Sequence, residues 1–306
     1  MGTQSGPDDG RGDPDLREIM SERRQLINLG YRMLGSLAEA EDVVQETYAR
    51  WYAMSREQHE AVANPGAWLT RVASRICLDL LGSARARRER YVGEWIPEPL
   101  PERAGWRGGP SADPADRITL DESVNMAFLV VLESMTPAER VAFILHDVFS
   151  YPFAEIADIV GRTPAACRQL ATSARRRIRA ARAPATPTAQ QARIVRDFKQ
   201  AWEARDIRAL VGLLDPAATA VGDGGGLVTA TAHPVEGAER IARFFADRID
   251  PGRLDLRERT VNGQPGLVAE LAGVTVSVYA FDIEDGRIWR IWAVLNPDKL
   301  RPWTAG

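Results

Sequence analysis

The sequence predicts a multidomain protein in which two all-helical domains precede an α+β domain. Three observations carry that expectation. Apolar residues recur at helical spacing over residues 16–92 and again over 118–183. A stretch rich in proline and glycine, residues 93–117, separates these blocks without apolar periodicity. Beyond residue 187 one or two helices, 194–205 and 207–214, give way to short runs in which aromatic and β-branched residues alternate with polar ones.

The chain has 306 residues, 45% of them hydrophobic and 26% charged, enough for two or three domains with cores of their own. A net charge of -3 excludes a uniformly basic nucleic-acid coat protein, so DNA contact has to come from local basic patches. The two cysteines, Cys77 and Cys167, lie far apart in apolar helical patterns, which points to a reducing compartment and to no zinc site or other metal. No cofactor is expected. Residues 1–15, MGTQSGPDDGRGDPD, read as a polar, disordered tail rather than a signal peptide. No apolar run approaches the ~20 residues of a membrane helix, so the expected location is the cytoplasm.

In the first block, Ile19, Leu26, Leu29, Tyr31, Met33 and Leu34 supply the apolar faces of one helix, and Ala40, Val43, Val44, Thr47, Tyr48 and Trp51 form a broad stripe on the next. Glu41, Asp42, Gln45 and Glu46 lie off that stripe and give the second helix an acidic side. Asn64-Pro65-Gly66 breaks the chain, with Asn64 as an N-cap and Pro65 at the first helical position. The helix that follows carries Trp68, Leu69, Val72, Ile76, Leu80 and Leu81, together with Arg71 and Arg75. Trp68 suits the core at least as well as a binding face.

Residues 136–182 read TPAERVAFILHDVFSYPFAEIADIVGRTPAACRQLATSARRRIRAAR. Thr136 with Glu139 three positions later has capping-box spacing, and Pro137 opens the helix. A short helix follows and ends at Gly161, the position of a left-handed C-cap. Thr163 then caps a second helix. On that helix Cys167, Leu170, Ala171, Ala174 and Ile178 share one face, while Arg168, Gln169, Thr172, Ser173, Arg175 and Arg176 fall away from it. This is the plan of a helix-turn-helix: a buried stripe seats the helix, and arginines with small hydroxyl side chains reach bases and phosphates in the major groove. A solvated basic helix end is the plainer alternative for the arginines taken alone.

In this order, the stretches AEAEDVVQETYARWY, NPGAWLTRVASRICLDLL and the helix-turn-helix resemble domains 2 and 4 of a bacterial sigma factor of the extracytoplasmic-function class. The resemblance implies that Glu41, Asp42, Gln45 and Glu46 meet the clamp helices of the largest subunit of core RNA polymerase. It implies that Asn64, Trp68, Arg71 and Arg75 engage the -10 element and help hold an opened base. It implies that Arg168, Gln169, Thr172, Ser173, Arg175 and Arg176 read the -35 element. The basic run Arg85, Arg87, Arg88 and Arg90 would follow backbone phosphate. Gly82 departs from the pattern, standing where related proteins carry a basic residue.

In the last block, residues 267–271, 274–281 and 288–294 are the best strands, with Asp285-Gly286 as a hairpin turn between two of them. Residues 187–306 resemble a SnoaL-like domain, which implies a cone of curved sheet and helices around a pocket. Three motifs match a subgroup of sigma factors that carry such a domain: Trp95-Ile96-Pro97-Glu98-Pro99, Gly222-Asp223-Gly224-Gly225-Gly226 and Asn296-Pro297-Asp298-Lys299-Leu300. The subgroup implies regulation in cis, with Trp95, Pro97, Glu98, Asp223, Gly224, Gly225, Asn296, Pro297, Asp298 and Lys299 forming the regulatory interface. The third domain is then expected to pack against the linker and the first domain. Two other readings stay open. A small molecule in the pocket is sensed or transformed, with Asp223, His233, Tyr279 and Asp282 as possible pocket groups; or the chain is a ligand-controlled helix-turn-helix repressor, which leaves the first block unexplained. No nucleophile–base pair or phosphate loop is visible from spacing, so no catalytic residue is assigned.

Overall fold

The computed structural model describes residues 14–88, 91, 93–102, 125–181, 187–231, 233–248 and 254–304; at 14–21, 84–88, 181 and 248 the description is of the backbone alone. Residues 1–13 of the expected tail lie outside it, as do the side chains of Arg85, Arg87, Arg88 and Arg90.

Helix α1 (Pro14–Leu34) turns at Gly35 into α2 (Leu37–Tyr52). Ser36 caps α2 by accepting from the Glu39 amide. The short α3 (Arg56–Glu60), closed by a Ser55–Gln58 capping box, precedes α4 (Pro65–Arg88). Helices α1, α2 and α4 pack together around Leu26, Leu29, Val43, Val44, Leu69 and Cys77.

Next come α5 (Met126–Glu133) and α6 (Pro137–Phe143), the latter capped by Thr136 and Glu139 as expected. A π-helical turn, Ile144–Val148, extends α6. Helix α7 (Phe153–Val160) ends at Gly161 with φ 68° and ψ 40°, a left-handed cap. Helix α8 (Pro164–Ala181) follows and lays Cys167, Ala171, Ala174 and Ile178 on the core. The two helical blocks do not stand apart. Leu26, Val44 and Leu69 belong to the same buried cluster as Phe128, Leu129, Ile144 and Ile156.

The third domain opens with α9 (Thr188–Glu203) and α10 (Ile207–Leu213). Strand β1 (Leu214–Asp223), β2 (Val235–Glu236), α11 (Ala238–Arg248), β3 (Leu254–Val261), β4 (Gln264–Leu271), β5 (Val274–Glu284) and β6 (Arg287–Val294) follow. They form one sheet in the order β2-β1-β6-β5-β4-β3, antiparallel except for β1 against β6. Asp285 and Gly286 both have positive φ (48° and 77°), the turn that suits a two-residue hairpin. A 3-10 turn (Pro297–Leu300) and α12 (Arg301–Thr304) end the described chain.

Strand alternation gives this sheet two covered faces. One packs on α9, α10 and α11 through Phe198, Trp202, Leu210 and Phe245. On the other, Val278, Ala280, Trp292 and Val294 pack on Ile96 of the linker, Met126 of α5 and Leu300 of the tail. The second face therefore binds both ends of the connection between the helical blocks.

Candidate nucleic-acid interface and interdomain clasp

On α8, Arg168, Gln169, Thr172 and Arg176 are exposed, and the Arg168 guanidinium lies 5.3 Å from the centre of the Phe153 ring. Two neighbours are engaged inside the domain. The Ser173 hydroxyl donates to Glu139 Oε1 at 2.8 Å, and Arg175 Nε donates to Asp147 Oδ1 at 2.6 Å. Burial tends to raise the Glu139 carboxyl, but hydrogen bonds from Thr136 and Ser173, with Arg177 nearby, hold it below the ordinary glutamate range.

On α4, Asn64 Oδ1 accepts from the Ala67 amide at 3.0 Å and so caps the helix. Trp68 meets Trp51 edge to face at 5.1 Å between centroids and is half-buried, a core contact as well as a partly open one. The two arginines point to the other helical block. Arg75 Nη1 donates to the Ile159 carbonyl at 2.7 Å, and Arg71 lies 3.8 Å from Asp158. On α2, Glu41, Asp42, Gln45 and Glu46 are exposed opposite the buried Ala40, Val43, Val44, Thr47 and Trp51, and Glu46 pairs with Arg50 at 2.8 Å.

The linker is held at two knots. In the first, the fully buried Asp223 carboxylate accepts four hydrogen bonds. Oδ1 takes Tyr91 Oη–H at 2.6 Å and the Gly225 amide at 3.1 Å; Oδ2 takes the Ile96 amide at 3.0 Å and Lys299 Nζ at 2.7 Å. Lys299 also donates to the Ile96 carbonyl and sits 4.2 Å from the centre of the Trp95 ring. Asn296 Nδ2 donates to Tyr91 Oη at 2.9 Å. A Cβ on Gly225, whose φ is 63°, would fall 2.3 Å from that Nδ2, which explains a glycine there. Asn296 also caps the turn of Pro297, Asp298 and Lys299 by accepting from the Asp298 amide.

In the second knot, Glu98 Oε2 accepts from the Leu37 amide (2.8 Å) and Ser36 Oγ (3.3 Å), adding a cap to α2. The Glu98 amide donates to the Gly35 carbonyl at 2.8 Å. Tyr31 Oη donates to the Glu98 carbonyl and accepts from Asn262 Nδ2, each at 2.7 Å. Asn262 Oδ1 in turn accepts from the Leu100 amide, and Trp303 Nε1 donates to the Pro99 carbonyl. Gly35 leaves room for Trp95: a Cβ there would stand 2.8 Å from the indole, with Pro97 next at 3.4 Å.

Trp95, Pro97, Glu98, Asp223, Gly225, Asn296 and Lys299 therefore converge on this clasp; Pro297 and Asp298 are exposed, Asp298 pairing with Arg301, and Gly224 abuts Val228 and Ala230 of its own loop instead. Sequence reasoning missed Tyr31, Tyr91, Asn262 and Trp303. The only signal for Asn262 was the Asn262-Gly263 turn dipeptide. The pocket assignments need correction. The third domain holds a cavity of about 410 Å3, and Tyr279 lines it, but Asp223, His233 and Asp282 do not. Alternation along β1 turns Gly222 toward the cavity and Asp223 away; His233 is exposed; Asp282, whose carboxyl burial pushes up, lies outside the lining.

The model of Sigma-70 region 2 matches residues 19–87, and that of Sigma-70, region 4 matches residues 125–178. The chain is 36% identical over 299 residues to the ECF RNA polymerase sigma factor SigJ of Mycobacterium tuberculosis, covering 94% of this chain and 93% of that protein. It is also 36% identical over 298 residues to the probable ECF RNA polymerase sigma factor SigI of the same species, covering 96% and 97%. The crystal structure of M. tuberculosis SigJ superimposes with a TM-score of 0.71 at 33% identity, covering 94% of this chain and 98% of that one. A helical module with an acidic face, a helix-turn-helix module and a helix-plus-sheet domain, matched together by that structure, define a DNA-binding initiation factor. The chain belongs to the extracytoplasmic-function class of the sigma-70 family. As a sigma factor it joins the RNA polymerase core and directs promoter-specific transcription initiation. Among the described residues no helix is long and apolar enough to cross a membrane.

Proposed function

We propose that this sigma factor is held closed by its own third domain, which acts as a built-in restraint on promoter engagement in the cytoplasm. One observation carries the reading: Ile96 and Met126, on either side of the linker, pack into the same apolar cluster on the outer face of the sheet. Elements named -10 and -35 lie about 25 base pairs apart, which at 3.4 Å per pair is about 85 Å of duplex. Helices α4 and α7 touch through Arg75 and Ile159. A chain so closed spans no such distance, and a sheet that grips both linker ends opposes the opening.

In this account Arg168, Gln169, Thr172 and Arg176 read the -35 element, with Ser173 and Arg175 joining when their partners release them. Asn64, Trp68, Arg71 and Arg75 work at the -10 element once α4 leaves α7. Glu41, Asp42, Gln45 and Glu46 meet the polymerase clamp helices. No carboxylate or histidine is among the described residues that line the cavity of the third domain, so that domain is given a restraining role and is assigned no catalytic step.

The test is run-off transcription over genomic fragments with purified core polymerase, comparing the full chain with one truncated after Val294. Specific initiation that increases on truncation supports the reading. Absence of initiation by either form would favour a repressor, and equal initiation by both would remove the restraint.

A further inference from the structure

The cavity of the third domain and the clasp lie on opposite faces of the same strands. In β1, Ala220 and Gly222 line the cavity, Val221 borders both the cavity and the linker-side cluster, and Asp223 enters the clasp; in β5, Ser277 and Tyr279 line the cavity while Val278 and Ala280 face the linker side. In and just past β6, Ala293 and Leu295 line it, while Trp292 and Val294 face the linker side. The Leu295 and Asn296 amides both donate to the Asp223 carbonyl, at 2.7 and 2.9 Å. The glycine loop closes the same link. It begins at Asp223, packs Gly225 against Asn296, and returns through Val228 and Thr229 as cavity wall.

The chemistry of the walls selects a ligand class. A volume of about 410 Å3 falls among small-molecule sites, which span roughly 300–1,000 Å3. Trp202, Phe244 and Phe245 give it aromatic sides, and no charged side chain is among the described residues that line it. An ionised ligand would be buried without a countercharge. Trp202 Nε1 is committed to the Phe245 carbonyl at 2.8 Å. Ser277 Oγ donates to Tyr279 Oη at 2.9 Å, which leaves the phenol's own proton for another acceptor. Burial raises the phenol pKa, so the group stays a neutral donor.

We propose that this cavity binds an uncharged, largely apolar, ring-bearing small molecule through a carbonyl or ether oxygen received by Tyr279, and that its occupancy tightens the clasp. The inference rests on the restraint proposed above. A ligand that fits the walls as they stand favours the arrangement in which Gly222, Val228 and Leu295 support Asp223 and Asn296. The effect is reciprocal: a firm clasp also favours the ligand.

The probe is 6-propionyl-2-dimethylaminonaphthalene, a neutral aromatic ketone whose emission shifts to the blue in dry surroundings, titrated into the full chain. One saturable site per chain is expected. Ala220→Leu, which fills the cavity, should abolish it, and Tyr279→Phe should lower the affinity about tenfold, the loss of one buried hydrogen bond. With saturating probe, hydrogen exchange of the Ile96 amide should slow several-fold, and Asp223→Asn should weaken the probe by a similar factor, about tenfold. Binding that never saturates, or that both cavity variants leave intact, overturns the site. Saturable binding that leaves Ile96 exchange unchanged or faster overturns the coupling. The restraint fails separately, when truncation after Val294 leaves run-off initiation unaltered whatever the probe does.

Discussion

Lys299 Nζ lies 2.7 Å from Asp223 Oδ2, with the two side chains 10% and 0% exposed. The pair joins the C-terminal turn to β1 on the site where the linker amide of Ile96 also binds. A buried pair of this kind is a weak source of net stability, yet removing one partner strands a charge and costs about 3–5 kcal/mol. Asp223→Asn and Lys299→Met are each expected to loosen the clasp and speed exchange of the Ile96 amide. The double variant Asp223→Asn/Lys299→Met should recover part of the loss, because no uncompensated charge is left. A double variant worse than the sum of the two would show that the pair itself is not the source.

Tyr31 and Asn262 are 231 positions apart and meet at 2.7 Å. Tyr31→Phe removes the donor to the Glu98 carbonyl and the acceptor for Asn262 inside a buried site, so urea unfolding should report a loss of about 1–3 kcal/mol. A loss near zero would mean that water replaces both bonds and that the second knot is looser than described.

Arg75 has two tasks in this account, as a tie to the Ile159 carbonyl in the closed chain and as a -10 contact in the open one. Arg75→Ala should therefore bind core polymerase faster than the parent yet form fewer open complexes, measured by core titration and by permanganate footprinting. Arg168→Ala, on the exposed face of α8, should weaken initiation only at promoters that depend on the -35 element. Removing one bidentate base contact costs about 1–3 kcal/mol. If both variants initiated like the parent, the two helices would have been assigned wrongly.

Glu139 gives the helix-turn-helix an acid limit. Its folded carboxyl is held below the ordinary value, so the unfolded chain takes up protons first as the pH falls. The contribution is present above about 4.3, the ordinary glutamate value, and is lost as the pH drops through the folded one. Glu139→Gln should be less stable than the parent at neutral pH, and the gap between their urea midpoints should close on acidification. A gap that stays constant would assign the loss to packing instead of charge.

Much of the helical part was legible in the sequence because its signals are local. Thr136, Glu139, Gly161 and Thr163 each mark a helix end within a few residues, and the capped ends stand where they indicate. Strand β1 was not legible: Asp215, Pro216 and the small residues Ala217, Ala218 and Ala220 carry little strand preference, and the small side chains at 220 and 222 instead leave room for the cavity. Strand β3 was hidden by its charges, as suits the edge of a sheet. The motifs around Trp95, Asp223 and Asn296 marked the clasp through family resemblance, but their partners Tyr31, Tyr91, Asn262 and Trp303 answer to contacts across the chain that no local pattern encodes. The engagement of Arg71 and Arg75 by α7 is of the same kind.

The central claim is that the clasp keeps α4 against α7, and so holds the helix-turn-helix module to the first helical block in the free chain. Single-molecule energy transfer between dyes at Glu60 and Arg179, both exposed, tests it most directly. The parent is expected to show one short-distance population and Asp223→Asn a second, long-distance population, which core polymerase then enriches. An unchanged single short-distance population in Asp223→Asn, with the Ile96 amide already exchanging freely, would contradict it.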